Sequence, residues 1–250
     1  MKMLDLFSGI GGFSLAGKLA GFETVGFSEI EPFCCKVLSK NFPTIKNYGD
    51  IKSLNWTDPV TLITGGFPCQ PFSVAGKKRG KNDKRYLWPE FFRIISSCRP
   101  NWIIAENVTG IISVGIKDII ADLESKSYSV RLFVLPACAA NAPHRRDRLW
   151  IVANRDVKRC NERGNNWEKR YLQENFIGDI SAIQSEWEKF KPISWEAMQA
   201  SEWLGANADF MRIDDGLPSR VDRIKALGNA IIPQIVYPIM KMIYLLEQQK

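Results

Sequence analysis

The sequence predicts an α/β protein built on a doubly wound, mostly parallel sheet with a small additional lobe. Three observations carry that expectation. Short β-rich runs alternate along the first 153 residues with segments whose apolar side chains recur at helical spacing. A glycine-rich turn joins the first of these runs to the first helix, as in nucleotide-binding α/β sheets. The 250 residues, 45% hydrophobic and 24% charged, suffice for one substantial core with room for a second, smaller unit.

Taken in order, residues 3–7 form the first strand and 12–20 the first helix, followed by a strand at 24–28. Helix 32–41 opens on Pro32, whose fixed φ and missing N–H suit a first helical turn. Strands at 60–64, 102–105, 130–134 and 148–152 then alternate with helices at 87–97 and 116–126. From 154 to 215 the texture changes to polar residues with Trp167, Trp187, Trp195 and Trp203 and no clean period, which reads as a separate lobe or long insertion. Helices at 219–227 and 232–248, split by Gly228 and Pro233, bring the chain back to the main sheet. The expected units are therefore 1–153, 154–215 and 216–250, the last completing the first.

A formal charge of +7 favours a polyanionic partner such as nucleic acid. His144 is the only histidine, which excludes an HExxH zinc site and leaves little room for a serine triad. The six cysteines, Cys34, Cys35, Cys69, Cys98, Cys138 and Cys160, contain no CxxC pair, so free thiols in a reducing compartment and no bound metal are expected. No run of about eighteen apolar residues occurs, and Asp5 interrupts the first apolar stretch. Neither a membrane span nor a signal peptide is expected, and a cytoplasmic location follows.

Chemistry gathers at the predicted strand ends. The first strand runs into Phe7-Ser8-Gly9-Ile10-Gly11-Gly12, a turn that lets backbone approach a nucleotide-like ligand, although Ser14 stands where a full GxGxxG has its third glycine. Glu29, twenty residues beyond Gly9, ends the second strand, where a carboxylate accepts from ribose hydroxyls. The bland alternative is a tight turn and a solvated strand end. Asp50, in Gly49-Asp50-Ile51, is expected at a further strand end, accepting from an adenine amine, though Gly-Asp also marks simple turns.

The strand at 60–64 leads into Gly65-Gly66-Phe67-Pro68-Cys69-Gln70-Pro71, where glycines and prolines fix the path around one thiol; Cys69 reads as a nucleophile, against an inert surface thiol. The cation-dense run 77–85 is a phosphate-contacting loop or a solvated one. Glu106 ends the strand beginning at Trp102, on the same sheet edge as Cys69. Arg146 and Arg148 alternate onto one side of the next strand and face one pocket, unless they are a basic turn balanced by Asp147.

With Cys69 reached, the order of these motifs resembles the cytosine carbon-5 DNA methyltransferases. The resemblance covers nearly everything outside 154–215. Residues 5–13 are similar to that family's cofactor loop, 65–73 to its Pro-Cys-Gln loop, Glu106-Asn107-Val108 to its Glu-Asn-Val element, Arg146 with Arg148 to its paired arginines, and Leu227-Gly228-Asn229-Ala230 with Pro233 to its last motif. The resemblance implies a Rossmann-like class I methyltransferase fold that uses S-adenosyl-L-methionine on double-stranded DNA, as a monomer and without metal. It also implies that Phe7 edges the adenine, Glu29 binds the ribose, Asp50 and Ile51 hold the adenine, and Ser8, Gly9, Gly11, Gly12, Pro68, Asn229 and Ala230 complete the cofactor site. The catalytic set implied is Cys69, Glu106, Arg146 and Arg148. His144 stands where the family commonly has glutamine, and 154–215 is short for a target-recognition lobe.

The chemistry explains the choice of groups. Carbon 5 of cytosine is a poor nucleophile until a thiolate adds to carbon 6, and a thiol with an ordinary pKa near 8.5 needs nearby positive charge to ionise, a service open to Arg146 or the basic loop. Glu106, protonated or sharing a proton, would stabilise nitrogen 3 and Arg148 the carbonyl oxygen. Two further readings share these motifs: a transfer-RNA cytosine methyltransferase on the same scaffold, and a catalytically silent DNA-binding regulator.

Overall fold

The computed structural model describes residues 1–68, 86–140, 146–155, 226 and 228–250. Its elements in chain order are β1 (Lys2–Leu6), α1 (Gly12–Ala20), β2 (Glu23–Ser28), α2 (Pro32–Asn41), β3 (Leu62–Gly65), α3 (Trp88–Cys98), β4 (Trp102–Val108), α4 (Ile111–Val114), α5 (Ile116–Ser125), β5 (Ser129–Pro136), a 3-10 turn (Ala137–Ala140), β6 (Asp147–Asn154) and α6 (Pro233–Gln248).

One six-stranded sheet has the order β2-β1-β3-β4-β6-β5. β1 pairs parallel with β2 and β3, β3 parallel with β4, and β6 antiparallel with both β4 and β5. Among the described strands β6 alone runs against the others, so the expected mostly parallel sheet is the one observed. The chain leaves β1 toward β2 and returns on its other side as β3. That reversal opens a crevice beyond the carboxyl ends of β1 and β3, where ligand sites of open α/β sheets collect.

The two faces of the sheet are covered by different helices, which is what doubly wound means. Leu4, Leu6, Ile63, Ile103, Ala105, Leu149, Ile151 and Ala153 pack with Phe91, Ile94 and Ile95 of α3 and Ile119 and Leu123 of α5 in one continuous core. The opposite face meets α1, where Gly17 lies on Met3 and Phe13 stands edge-on to Trp150. α6 packs on α1 and is tied to the base of β4. β3 is buried along its whole length, as a central parallel strand must be.

Sequence periodicity located α1 and α2 at their observed bounds. The strand expected at 102–105 runs on to Val108 because β6 pairs with it as far as Val108↔Arg148. The expectation for Asp50 is corrected: no strand precedes it. Only an isolated parallel bridge between Phe27 and Asn47 forms, and the Asp50 carboxylate turns back to accept from Lys52 N at 3.0 Å. A short polar segment bordered by Gly49 satisfies its backbone through side chains more readily than through a ladder. α4, four residues between Gly110 and Gly115, is too short to carry a periodic signal. The chain divides into Met1–Arg159 with Arg223–Lys250 and, separately, Cys160–Asp222. The expected 154–215 lobe and 219–227 helix lie, but for residues 154, 155 and 226, outside the described residues.

Candidate active site

The loop after β1 is built on a buried carboxylate. Asp5 accepts from the hydroxyls of Ser14 at 2.7 Å and Thr64 at 3.1 Å. The backbone of Ser14 also bonds to it. Gly11, at the N-terminus of α1, has no side chain to cap the helix, and Asp5 supplies that function from the adjacent strand. The Ser8 hydroxyl donates to Asp5 O at 2.7 Å, and Gly11 N to Ser8 O at 2.9 Å, which closes the turn. Gly11 has φ 89, and a Cβ there would lie 2.6 Å from Phe42, so both backbone and space demand glycine. Phe7 is also in the left-handed region, with φ 53, and rests edge-on against Phe91, 5.9 Å between centroids. A non-glycine residue there stores strain at the mouth of the crevice.

Glu29 meets this loop. Its Oε2 accepts from Gly9 N at 2.7 Å, and its Oε1 from Ile30 N and Glu31 N, each at 2.8 Å. Asn47 organises the next segment: its Oδ1 accepts from Glu29 N and Gly49 N, each at 3.1 Å, and its Nδ2 donates to Glu29 O at 3.0 Å and Cys35 Sγ at 3.2 Å. Asp50 is exposed. The Ile51 side chain belongs to the core and its carbonyl accepts from Arg93 at 2.7 Å. Ile30, 65% exposed, presents an apolar surface next to Glu29.

The second cluster stands at the far side of the crevice. Glu106 on β4 and Arg148 on β6 are diagonal neighbours on one face, and Arg148 Nε donates to Glu106 Oε1 at 2.9 Å. Burial pushes the Glu106 carboxyl above its ordinary value, and the guanidiniums of Arg148 and Arg146 only partly pull it back. Arg146 and Arg148 divide their partners. Arg146 Nη1 donates to Ala230 O at 2.7 Å and Nη2 to Gly228 O at 2.9 Å. Burial and the neighbouring Arg148 lower its pKa while Glu106 opposes the shift. A Cβ on Gly66 would stand 3.4 Å from Glu106 Oε2, so this glycine lets the loop toward Cys69 pass close to the carboxylate. Asn107 Nδ2 donates to Phe67 O at 3.1 Å and holds that loop to β4. Pro68 and Asn229 are exposed and Ala230 is half-buried. Cys69, His144 and the basic run 77–85 lie outside the described residues.

The structure thus gathers Phe7, Ser8, Gly9, Gly11, Gly12, Glu29, Glu106, Arg148, Gly228 and Ala230 around the ends of the parallel strands. Sequence reasoning missed Asp5, Asn47 and Asn107 as working residues. Asp5 and Asn107 stood inside motifs already singled out, but their bonds reach residues far along the chain. Asn47 had no signal beyond an ordinary loop asparagine.

Comparison with known proteins decides the family. The sequence pattern of the C-5 cytosine-specific DNA methylases matches residues 1–207. This chain belongs to that family. The chain is 39% identical over 166 residues to the type II methyltransferase M.Eco47II of Escherichia coli, an alignment covering 62% of this chain and 39% of that protein. It is 36% identical over 163 residues to M.NgoFVII of Neisseria gonorrhoeae, covering 62% and 44%. The chain therefore spans less than half the length of these curated relatives.

Two solved structures share its fold. A DNMT2 mutant from Spodoptera frugiperda superposes with TM-score 0.53 at 28% identity, over 62% of this chain and 50% of that one. A prophage-encoded E. coli protein described as a DNA modification methyltransferase gives 0.55 at 30%, over 64% and 48%. Among the described residues no group of three or more His, Cys, Asp or Glu is placed to hold a metal ion, and no helix is long and apolar enough to cross a membrane. The four described cysteines, Cys34, Cys35, Cys98 and Cys138, are unbridged.

Proposed function

We propose that this methylase transfers a methyl group from S-adenosyl-L-methionine to carbon 5 of cytosine in double-stranded DNA, with Cys69 as the nucleophile. The observation that carries the reading is the buried Glu106 paired with half-buried Arg148, with the Glu106 pKa raised, beside the glycine loop that runs into Cys69. The residues present fit an adenosine-containing methyl donor. A Cβ at Gly9 or Gly49 would meet nothing within 4 Å, which leaves open space above both loops, and the Glu29 carboxylate and apolar Ile30 lie between them. Glu29 would take the ribose hydroxyls, the Gly9 to Gly12 backbone and Asn229 the remainder, and Phe7, Asp50 and Ile51 the adenine side. When bound, the donor supplies the methyl group that ends on carbon 5.

The chain's own residues do the rest. The Cys69 thiolate forms a bond to carbon 6, which makes carbon 5 electron-rich. Glu106, held toward its protonated form by burial, donates to nitrogen 3 and accepts from the exocyclic amine, while Arg148 donates to the carbonyl oxygen, so charge developing on the ring is met by groups already in place. Once a base has removed the carbon 5 proton, the carbon–sulfur bond breaks and the thiolate is restored. Because a stacked base exposes neither face, the cytosine is flipped out of the duplex at a cost of roughly a few kcal/mol, offset by phosphate contacts from a chain of charge +7. On this reading the enzyme is cytoplasmic, monomeric and independent of metal.

The test is Cys69→Ser. Methyl transfer to duplex DNA should fall to background while donor binding by calorimetry stays at the parent value, and the parent but not the variant should form a covalent adduct with a duplex containing 5-fluorocytosine. Normal turnover by the variant would refute the assignment. Equal methyl incorporation into transfer RNA and none into duplex DNA would move the substrate to RNA.

A further inference from the structure

We propose that Arg146 is a positioning residue of the donor site, acting through the C-terminal segment, and is not a contact to the target base or an activator of the thiol. The inference rests on the donor reading above. The two Nη groups of Arg146 donate to carbonyls that bracket one residue, Gly228 O at 2.9 Å and Ala230 O at 2.7 Å, and the residue between is Asn229. These partners lie 82 and 84 positions along the chain, so the bonds are a tether between the mouth of β6 and a segment with no sheet ladder to hold it. A planar guanidinium that stays charged at every working pH suits two carbonyls at once better than any other side chain.

What the tether holds explains why it matters. Immediately after Ala230, Ile231 is wedged between two glycines: a Cβ on Gly12 would lie 2.9 Å from Ile231 O, and one on Gly66 3.7 Å from Ile231 Cδ1. Gly12 opens α1 at the end of the donor loop, and Gly66 leads toward Cys69. Fixing Gly228 and Ala230 therefore fixes Ile231 against both loops and holds the backbone on either side of Asn229.

Arg146 also commits its outer nitrogens to the C-terminal segment. Both Nη groups are engaged with backbone, and its Nε is buried without a hydrogen-bond partner, whereas Arg148 carries the bond to Glu106. The paired arginines thus separate by role, one for the base and one for the donor.

The experiment uses the full chain, with Arg146→Gln, Arg146→Lys and Arg148→Ala. Calorimetry without DNA measures S-adenosyl-L-methionine affinity, and steady-state methylation of a duplex gives kcat and the KM for the donor. Arg146→Gln should weaken donor binding by about tenfold or more, the loss expected for two charge-assisted bonds. KM should rise in step and kcat at saturating donor stay within about twofold. Arg146→Lys, which keeps the charge and one carbonyl contact, should fall between. Arg148→Ala should show the reverse, an unchanged donor affinity and a collapsed kcat.

Parental donor affinity in Arg146→Gln, or a fall in kcat at saturating donor with affinity unchanged, overturns the inference and leaves the proposed function standing. A parent protein that binds no donor takes both down. Should Arg146→Gln melt below the assay temperature, Arg146→Lys carries the test, and loss of folding in both makes Arg146 a fold residue and overturns its assignment to the donor site.

Discussion

Asp5 is wholly buried at the end of β1, and burial pushes its carboxyl up to about 7, against the hydrogen bonds of Ser14 and Thr64 that favour the charged form; Glu29 nearby adds to the upward shift. The native state therefore binds a proton that the unfolded chain, with its value near 3.8, has already released. The stabilisation is complete below the unfolded value and is lost as pH rises through about 7. Asp5→Asn can keep both hydroxyl bonds but cannot titrate. The melting-temperature advantage of the parent over this variant should shrink between pH 5 and pH 8, and a constant difference would remove Asp5 as its source. Asn47 makes the opposite kind of case, since its four bonds are neutral and pH-independent. Asn47→Ala strands the Glu29 and Gly49 amides and should cost about 1–3 kcal/mol in urea unfolding at any pH between 5 and 8. A loss under about 0.5 kcal/mol would mean water replaces the side chain. Neither role was legible in the sequence. Asp5 read as a polar interruption in a strand and Asn47 carried no signal, because what makes them matter is which distant groups the fold brings to them.

At the scale of elements, the helices were the most legible part, because α1 and α2 carry both an apolar face and a terminal residue that fixes where they begin. Strand ends were less so: β4 gains its last residues, including Asn107 and Val108, from pairing with β6, and no local propensity encodes a partner. The insertion of β6 between β4 and β5 was equally hidden. α6 is held at its far end by one carboxylate. Glu247 accepts from Asn101 Nδ2 at 2.8 Å and Trp102 Nε1 at 2.9 Å and pairs with Lys250. Burial works against its charge, yet these bonds win and leave its pKa below the ordinary value, so their contribution is present above the unfolded value and is lost as pH falls through the folded one. Glu247→Ala leaves the indole and amide donors unpaired and should cost about 2–3 kcal/mol at pH 7. Because Ile231 leads directly into α6, the variant should lose donor affinity only after α6 loosens. Hydrogen exchange rising in α6 ahead of the rest of the protein would show this, and uniform exchange would contradict it.

Over the whole molecule, ordered motifs run through residues 1–153 while 154–215 carry no period, so the sequence announces the proposed chemistry far more clearly than any target. Residues 154–215 have no motif to anchor them, and base readout in general depends on loop geometry that spacing does not encode. Charge is the exception, since it acts without defined geometry. On the proposed reading a chain of +7 meets DNA's condensed counterions, and each phosphate it neutralises would contribute a slope of about −0.9 to the dependence of log affinity on log salt. Binding of a 30-base-pair duplex should therefore weaken by at least about tenfold between 50 and 200 mM salt, while donor affinity, which on the proposed reading rests on Glu29 and the glycine loop, should not move. The run beginning Lys77-Lys78-Arg79 follows the Cys69 loop directly, and its contribution is separable. Replacing these three by alanine should reduce the slope by up to about 3 and leave the covalent trap with 5-fluorocytosine intact at low salt. If the slope is unchanged, the basic run is a solvated loop and the phosphate contacts belong to other cations of the chain; if the trap is lost at low salt, the run shapes the nucleophile loop instead of holding the backbone.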